Sequence, residues 1–232
     1  MIKYLEKIEK ALNLNKKAPA FPQMIRANLR SFKKADYAIF FLVVPALLIG
    51  IYLLPIDRAP FILNTQNPTL LSFFPSNFVH VDLQHLENNL IGYFISMLIV
   101  FGFEKDRRFF YCMAAFLFLA MPIIASFVTI LSMTGISRGF SAIMYGYLGY
   151  AAFLLLMVAI PAYSEKRRFK MPTTAWVIVF VVGMIIELCY LYVEPTVSGV
   201  VPNRYAHMAG FGMGALLPFI YYATKRKLRS PL

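Results

Sequence analysis

Acidic side chains are scarce in this sequence, with 11 Asp and Glu against 23 Lys and Arg in 232 residues, and charged residues of both signs make up only 15%. A soluble domain of this size carries about 25% charge, so a largely water-exposed surface is excluded. Cysteine is nearly absent, at two residues. Cys112 and Cys189 fall in separate apolar runs without metal-ligand spacing, which excludes a disulfide framework and leaves them as small buried hydrophobes. The first 35 residues lack the continuous apolar run of a secretory signal peptide, so none is expected there. Histidine numbers only three and tryptophan one, so the position of each carries weight.

What is abundant is apolar. Hydrophobic residues reach 59%, aromatics 16%, and the mean hydropathy is +0.64, values that belong to a polytopic membrane protein. The net charge of +12 would suit nucleic acid if it formed one face. The basic residues instead lie in short clusters between apolar runs, the pattern of membrane topology, so the expected partner is the lipid bilayer and not a nucleic acid.

Ile2, Leu5, Ile8 and Leu12 alternate with Lys3, Lys7 and Lys10 over residues 1–14, an amphipathic basic helix suited to a membrane surface or to packing on its neighbours. Lys16 to Pro22 reads as a linker, with Pro19 and Pro22 breaking any helix. After a second basic stretch (Arg26, Arg30, Lys33, Lys34) come six apolar runs, at about 37–54, 86–103, 109–133, 141–160, 174–193 and 205–223. Each can cross roughly 30 Å of hydrocarbon. The expected organisation is a basic segment over 1–35, an all-α core of six transmembrane helices over 36–223, and a basic tail over 224–232. Twenty of the 23 Lys and Arg lie in the N-terminal segment, the loops 104–108 and 164–170 and the tail, whereas the other three loops hold one each, Arg58, Arg138 and Arg204. The positive-inside rule then puts both termini in the cytoplasm and the three poor loops outside.

With that topology, spans two, four and six start at the outer surface, and the rare polar residues collect there. His80 and His85 precede or open span two, Ser141 opens span four, and His207 lies in the first turn of span six. Ionisable groups inside spans are expensive and read as functional. At about 100° per residue, His85, Asn89, Gly92 and Ser96 form one stripe, while Glu87 and Asn88 point elsewhere. His207, Gly210 and Gly214 share a face, as do Ser141, Ala142, Tyr145 and Gly149. Small residues let helices approach closely, so Gly210-x3-Gly214 against Ala142-x3-Gly146 or Gly149 would bring His207 near Ser141. Ser141 itself follows Gly139, which allows a sharp backbone turn, and precedes first-turn N–H groups that have no intrahelical partner.

These motifs together resemble the rhomboid family of intramembrane serine proteases: His80-x4-His85-x3-Asn89 in span two, Gly139-Phe140-Ser141-Ala142 at the start of span four, and Ala206-His207-x2-Gly210-x3-Gly214 in span six. Glu104, at the end of span two, also resembles a family position. The resemblance covers about residues 37–223. It implies Ser141 as nucleophile and His207 as general base and acid, with an oxyanion hole from His85, Asn89 and the Ser141 N–H. It further implies that Tyr145 supports the His207 ring, that His80 is structural, that Gly139 and Phe140 shape the approach to the serine, and that the Phe140 backbone helps to bind the oxyanion. The implied substrates are single-span or other membrane proteins, reached through an outward-open cavity, with no cofactor and no metal. Two departures stand out: Ala142 replaces the commoner Gly after the nucleophile, and the first outer loop, Pro55–Val79, lacks the Trp-Arg pair that many members carry, since Trp176 lies in span five. That loop is punctuated by Asn64, Asn67, Pro68 and Pro75, so a compact fold is expected for it.

Three other readings are open to test. A haem or metal protein would use the histidines, but His80 and His85 are about 140° apart on a helix and there is no His-Glu-x-x-His. A catalytically inactive relative would bind or escort membrane clients, although both Ser141 and His207 are present. A transporter would use Glu187 in mid span five, but a carboxyl that is neutralised, or hydrogen-bonded to a neighbouring tyrosine such as Tyr190, is the better reading of that residue.

Overall fold

The computed structural model describes residues 21–164 and 203–227. In hydrocarbon every backbone N–H and C=O must be satisfied within its own segment, and the apolar runs accordingly form helices. They are α1 (Phe21–Ser31), α2 (Lys34–Leu53), the short α3 (Leu70–Phe73), α4 (Leu83–Phe103), α5 (Arg107–Ser132), α6 (Ser141–Ser164) and α7 (Arg204–Lys227). Among the described residues the only sheet is a two-residue antiparallel pairing of β1 (Leu63–Asn64) with β2 (Ile136–Ser137). Among the described residues four helices are long and apolar enough to cross a membrane: α2, α4, α5 and the Ser141–Val158 portion of α6. The protein is a multi-pass, all-α membrane protein. α7 is a further long helix, of 24 residues. The expected helix over 1–14 and the expected span over 174–193, with Trp176, Glu187, Cys189 and Tyr190, lie outside the described residues.

α6 is the axis of the bundle. Its side chains from Ala142 to Leu155 are all buried, as befits a helix that is apolar all round. α7 lies against it along a seam of small residues: a Cβ added at Gly210 would collide with the Ala142 carbonyl oxygen, one at Gly214 with that of Gly146, and one at Gly149 with that of Phe211. The two backbones touch, which only residues without a side chain permit. On another side α4 approaches through Gly92, where a Cβ would lie 2.7 Å from the Met144 sulfur.

The acidic groups at the charge-rich end of the bundle point inward. Glu104, wholly buried, accepts from the hydroxyls of Tyr150 and Tyr222 and from the Asp106 N–H at 2.5 Å, which fastens α4 to α6 and α7. Asp106 caps α5 through the Arg108 and Phe109 N–H groups, accepts from Tyr221 at 2.6 Å and pairs with Lys225. Burial opposes its charge, yet these bonds hold its carboxyl down to about 2. At the other end, the loop between α2 and α4 docks on α5, where Asn77 Nδ2 donates to the Pro122 carbonyl at 3.1 Å and to Ser126 Oγ at 3.3 Å. Thr65 and Gly135 share three further hydrogen bonds beside the β1–β2 pair.

Two expectations are corrected. Pro22 does not break a helix: it lies in the first turn of α1, where a missing N–H costs nothing. Cys112 is exposed on the outside of α5, not buried. A lipid-facing position is as apolar as a core position, so composition alone does not separate the two.

Candidate active site

The site forms where α4, α6 and α7 begin. Phe140 caps α6: its carbonyl accepts from Ile143 N–H at 3.1 Å and Met144 N–H at 3.0 Å, and its ring is fully buried against Tyr93, with centroids 5.7 Å apart. Gly139 before it has φ +128°, a conformation that side chains oppose, and a Cβ there would lie 2.6 Å from His85 Cε1. Its N–H donates to the Ser76 carbonyl at 2.9 Å, pinning the turn to the loop before α4. Ser141 therefore starts α6 half-buried, beside N–H groups that precede the first intrahelical bonds.

His207, 7% exposed in the first turn of α7, places Nε2 2.7 Å from Ser141 Oγ, across 66 residues of sequence. In the tautomer with its proton on Nδ1, the imidazole accepts from the serine hydroxyl. Tyr145, one turn below Ser141, stacks on the imidazole with ring centroids 4.5 Å apart and planes 24° apart. The Gly210 and Gly214 contacts hold α7 at the spacing this hydrogen bond needs.

α4 supplies the third side. Asp82 caps it by accepting from the His85 N–H at 2.7 Å. His85 is half-buried, Asn89 and Ser96 are buried on the same face, and Glu87 and Asn88 are exposed. Asn89 Nδ2 is buried and has no hydrogen-bond partner among the described residues. A buried donor left unpaired costs about 1–3 kcal/mol, so it is available to an incoming acceptor. His80 is buried in the loop before α4, with its ring 5.4 Å from that of His85. Burial, reinforced by His85, pushes its pKa down to about 4. Its Nε2 lies 3.5 Å from the Phe140 N–H, at the outer limit of a hydrogen bond.

The residues singled out in the sequence thus come together from three helices, and one was missed. Asn203 caps α7 through Oδ1, which accepts from the Ala206 N–H at 3.1 Å, while its carbonyl accepts from the His207 N–H at 3.1 Å. Its Nδ2 donates to Thr129 of α5 and, at 2.8 Å, to Ser137 Oγ. An asparagine just before a helical run is a capping signal, but its cross-links to Thr129 and Ser137 leave no mark on the sequence. Among the described residues no three His, Cys, Asp or Glu side chains converge to hold a metal ion. A hydroxyl bonded to an imidazole at a helix N-terminus, beside an unpaired amide donor, is equipment for nucleophilic acyl transfer.

Fold and site together define a multi-pass helical membrane protein with a Ser–His pair set among helix N-termini. The model of the Rhomboid domain matches residues 67–224, more than half of the chain, and the chain belongs to the rhomboid family, which in general comprises intramembrane serine proteases. A comparison with curated proteins finds no match.

Proposed function

We propose that this protein is an active intramembrane serine endopeptidase that cuts peptide bonds in the transmembrane segments of membrane proteins. The observation that carries the reading is the 2.7 Å contact between Ser141 Oγ and His207 Nε2. His207 removes the hydroxyl proton as Ser141 attacks the scissile carbonyl, and returns it to the leaving amine as the tetrahedral intermediate collapses to an acyl-enzyme. A water activated by the same imidazole then releases the acyl group. The developing oxyanion is met by the Ser141 N–H, Asn89 Nδ2 and His85, donors fixed in place before the reaction starts. Tyr145 and Asn203 hold the His207 ring and backbone, and no cofactor or metal takes part. Six spans, cytoplasmic termini and a site near the outer face complete the proposal, as the distribution of Lys and Arg implies.

The test is cleavage of a single-span reporter by the purified protein in vesicles. Turnover by the wild type, abolished in both Ser141→Ala and His207→Ala with their folds intact, supports the reading. A wild type that binds the reporter without cutting it would favour the escort role instead.

A further inference from the structure

α1 is an outrigger on the charge-rich end of the bundle, and its two faces differ. The inner face is bolted down: Asn28 Nδ2 donates to the Gly102 carbonyl at 2.8 Å, and Phe32, just past the end of α1, stacks on Phe101 at 4.1 Å and meets Phe110 edge-on at 5.1 Å. Tyr37 of α2 reaches back to the Leu29 carbonyl at 2.8 Å. The outer face carries Arg26 and Arg30, one helical turn apart, followed by Lys33 and Lys34, and all four are exposed. Lys105, exposed on the turn between α4 and α5, and Arg108, exposed in the first turn of α5, continue the same end of the molecule.

None of these six cations has an acidic partner among the described residues. The described acids of this end are already engaged: Asp36 with the Lys33 N–H, Tyr111 and Arg107, Glu104 with Tyr150 and Tyr222, and Asp106 with Tyr221 and Lys225. Cations face outward and carboxylates inward, so among the described residues nothing compensates the positive charge of the ledge. Its depth follows from its anchors. Phe101 and Gly102 end one membrane-crossing helix and Phe110 lies in the first turn of the next, so the helix that rests on them lies at the edge of the hydrocarbon, where headgroups begin.

We infer that this ledge is a binding surface for anionic phospholipid headgroups of the adjacent leaflet, engaged by Arg26, Arg30, Lys33, Lys34, Lys105 and Arg108. Arg26 and Arg30 can each grip a phosphate with two N–H groups, and the lysines add point charges nearby. Lipid is the occupant because the surface is shallow, multivalent and at headgroup depth, where clustered basic residues act together. The inference is independent of any catalytic role for Ser141.

The test uses the full-length protein, reconstituted in phosphatidylcholine vesicles that contain a minor fraction of phosphatidylglycerol, re-extracted in mild detergent and assayed by mass spectrometry for retained lipid. The wild type should retain phosphatidylglycerol over phosphatidylcholine by at least about tenfold relative to the vesicle composition. The quadruple variant Arg26→Gln/Arg30→Gln/Lys33→Gln/Lys34→Gln should lose most of that preference, and high salt should weaken it in the wild type. The charge-preserving variant Arg26→Lys/Arg30→Lys/Lys33→Arg/Lys34→Arg should keep it, which separates loss of charge from loss of fold. Equal retention by the glutamine variant, or no preference in the wild type, would overturn the inference. Displacement of the lipid by inorganic phosphate would overturn it too, as the mark of a simple phosphate site.

Discussion

Gly210 of α7 lies against the carbonyl of Ala142 in α6 so closely that a single added carbon collides with it. The two residues that should carry the chemistry are the neighbours of this pair, Ser141 one residue before Ala142 and His207 three before Gly210. Helix packing and the Ser141–His207 hydrogen bond are therefore one geometric fact.

A leucine at Gly210 should force α6 and α7 apart. Over-packing of this kind costs about 1–3 kcal/mol, and a displacement of about 1 Å can cost on the order of a hundredfold in rate. Gly210→Leu should lose most reporter cleavage and melt earlier. Gly212→Leu, where an added carbon meets nothing within 4 Å, should be nearly silent. Melting temperature and cleavage rate for both in one detergent decide the matter, and a more damaging Gly212→Leu would contradict the packing account.

Asn89 and Asn88 form an internal control on α4, one buried with an unpaired amide donor and the other exposed. Asn89→Ala should lower kcat by about one to three orders of magnitude with little change in KM, because an oxyanion donor acts in the transition state. Asn88→Ala should behave like the wild type. Comparable kinetic defects would show that the donor faces the wrong way.

Asn203 joins the cap of α7 to α5 and to the loop before α6. Losing a helix cap costs about 0.5–2 kcal/mol, so Asn203→Ala should lower the melting temperature as well as the cleavage rate. Asn203→Asp keeps the capping oxygen and gives up the amide donor. It should recover stability lost in the alanine variant more fully than it recovers activity, and the reverse ranking would deny Asn203 a positioning role.

His80 supplies a pH dependence with a definite sign. Its folded pKa of about 4 lies below the ordinary value of 6.5, so the unfolded chain binds the proton first as the pH falls. The stability tied to neutral His80 is complete above about pH 6.5 and is lost between about 6.5 and 4, up to roughly 3 kcal/mol in all. His80→Gln keeps an acceptor for the Phe140 N–H and should melt with a smaller drop between pH 8 and pH 5 than the wild type. An undiminished drop would assign the acid sensitivity to other groups.

Much of this architecture is legible in the chain because a membrane leaves few options. Apolar runs have to be helices, so span positions follow from hydropathy, and the start of α4, α6 and α7 at one level follows from where the lysines and arginines collect. The Gly210–Ala142 seam is legible because small residues at helical spacing are the usual means of close approach in lipid. What is illegible has physical reasons. Bilayer and core are both apolar, which hides the outward position of Cys112. Two π-helical turns, Ile39–Val43 in α2 and Phe116–Ala120 in α5, each end two residues before a proline, Pro45 and Pro122, and a proline in an apolar run marks a disturbance of the helix without saying which kind. The Asn203–Thr129–Ser137 contacts join residues 66 to 74 positions apart through common side chains, a pattern no local spacing encodes.

The central claim is that Ser141 is a nucleophile activated by His207. Labelling the purified, detergent-solubilised protein with a fluorophosphonate probe, followed by peptide mapping, tests it most directly, since the probe forms a covalent bond only with an activated hydroxyl. The account predicts one labelled residue, Ser141, with labelling abolished in Ser141→Ala and reduced to background in His207→Ala. An unlabelled wild type, or labelling that persists in Ser141→Ala, would contradict it.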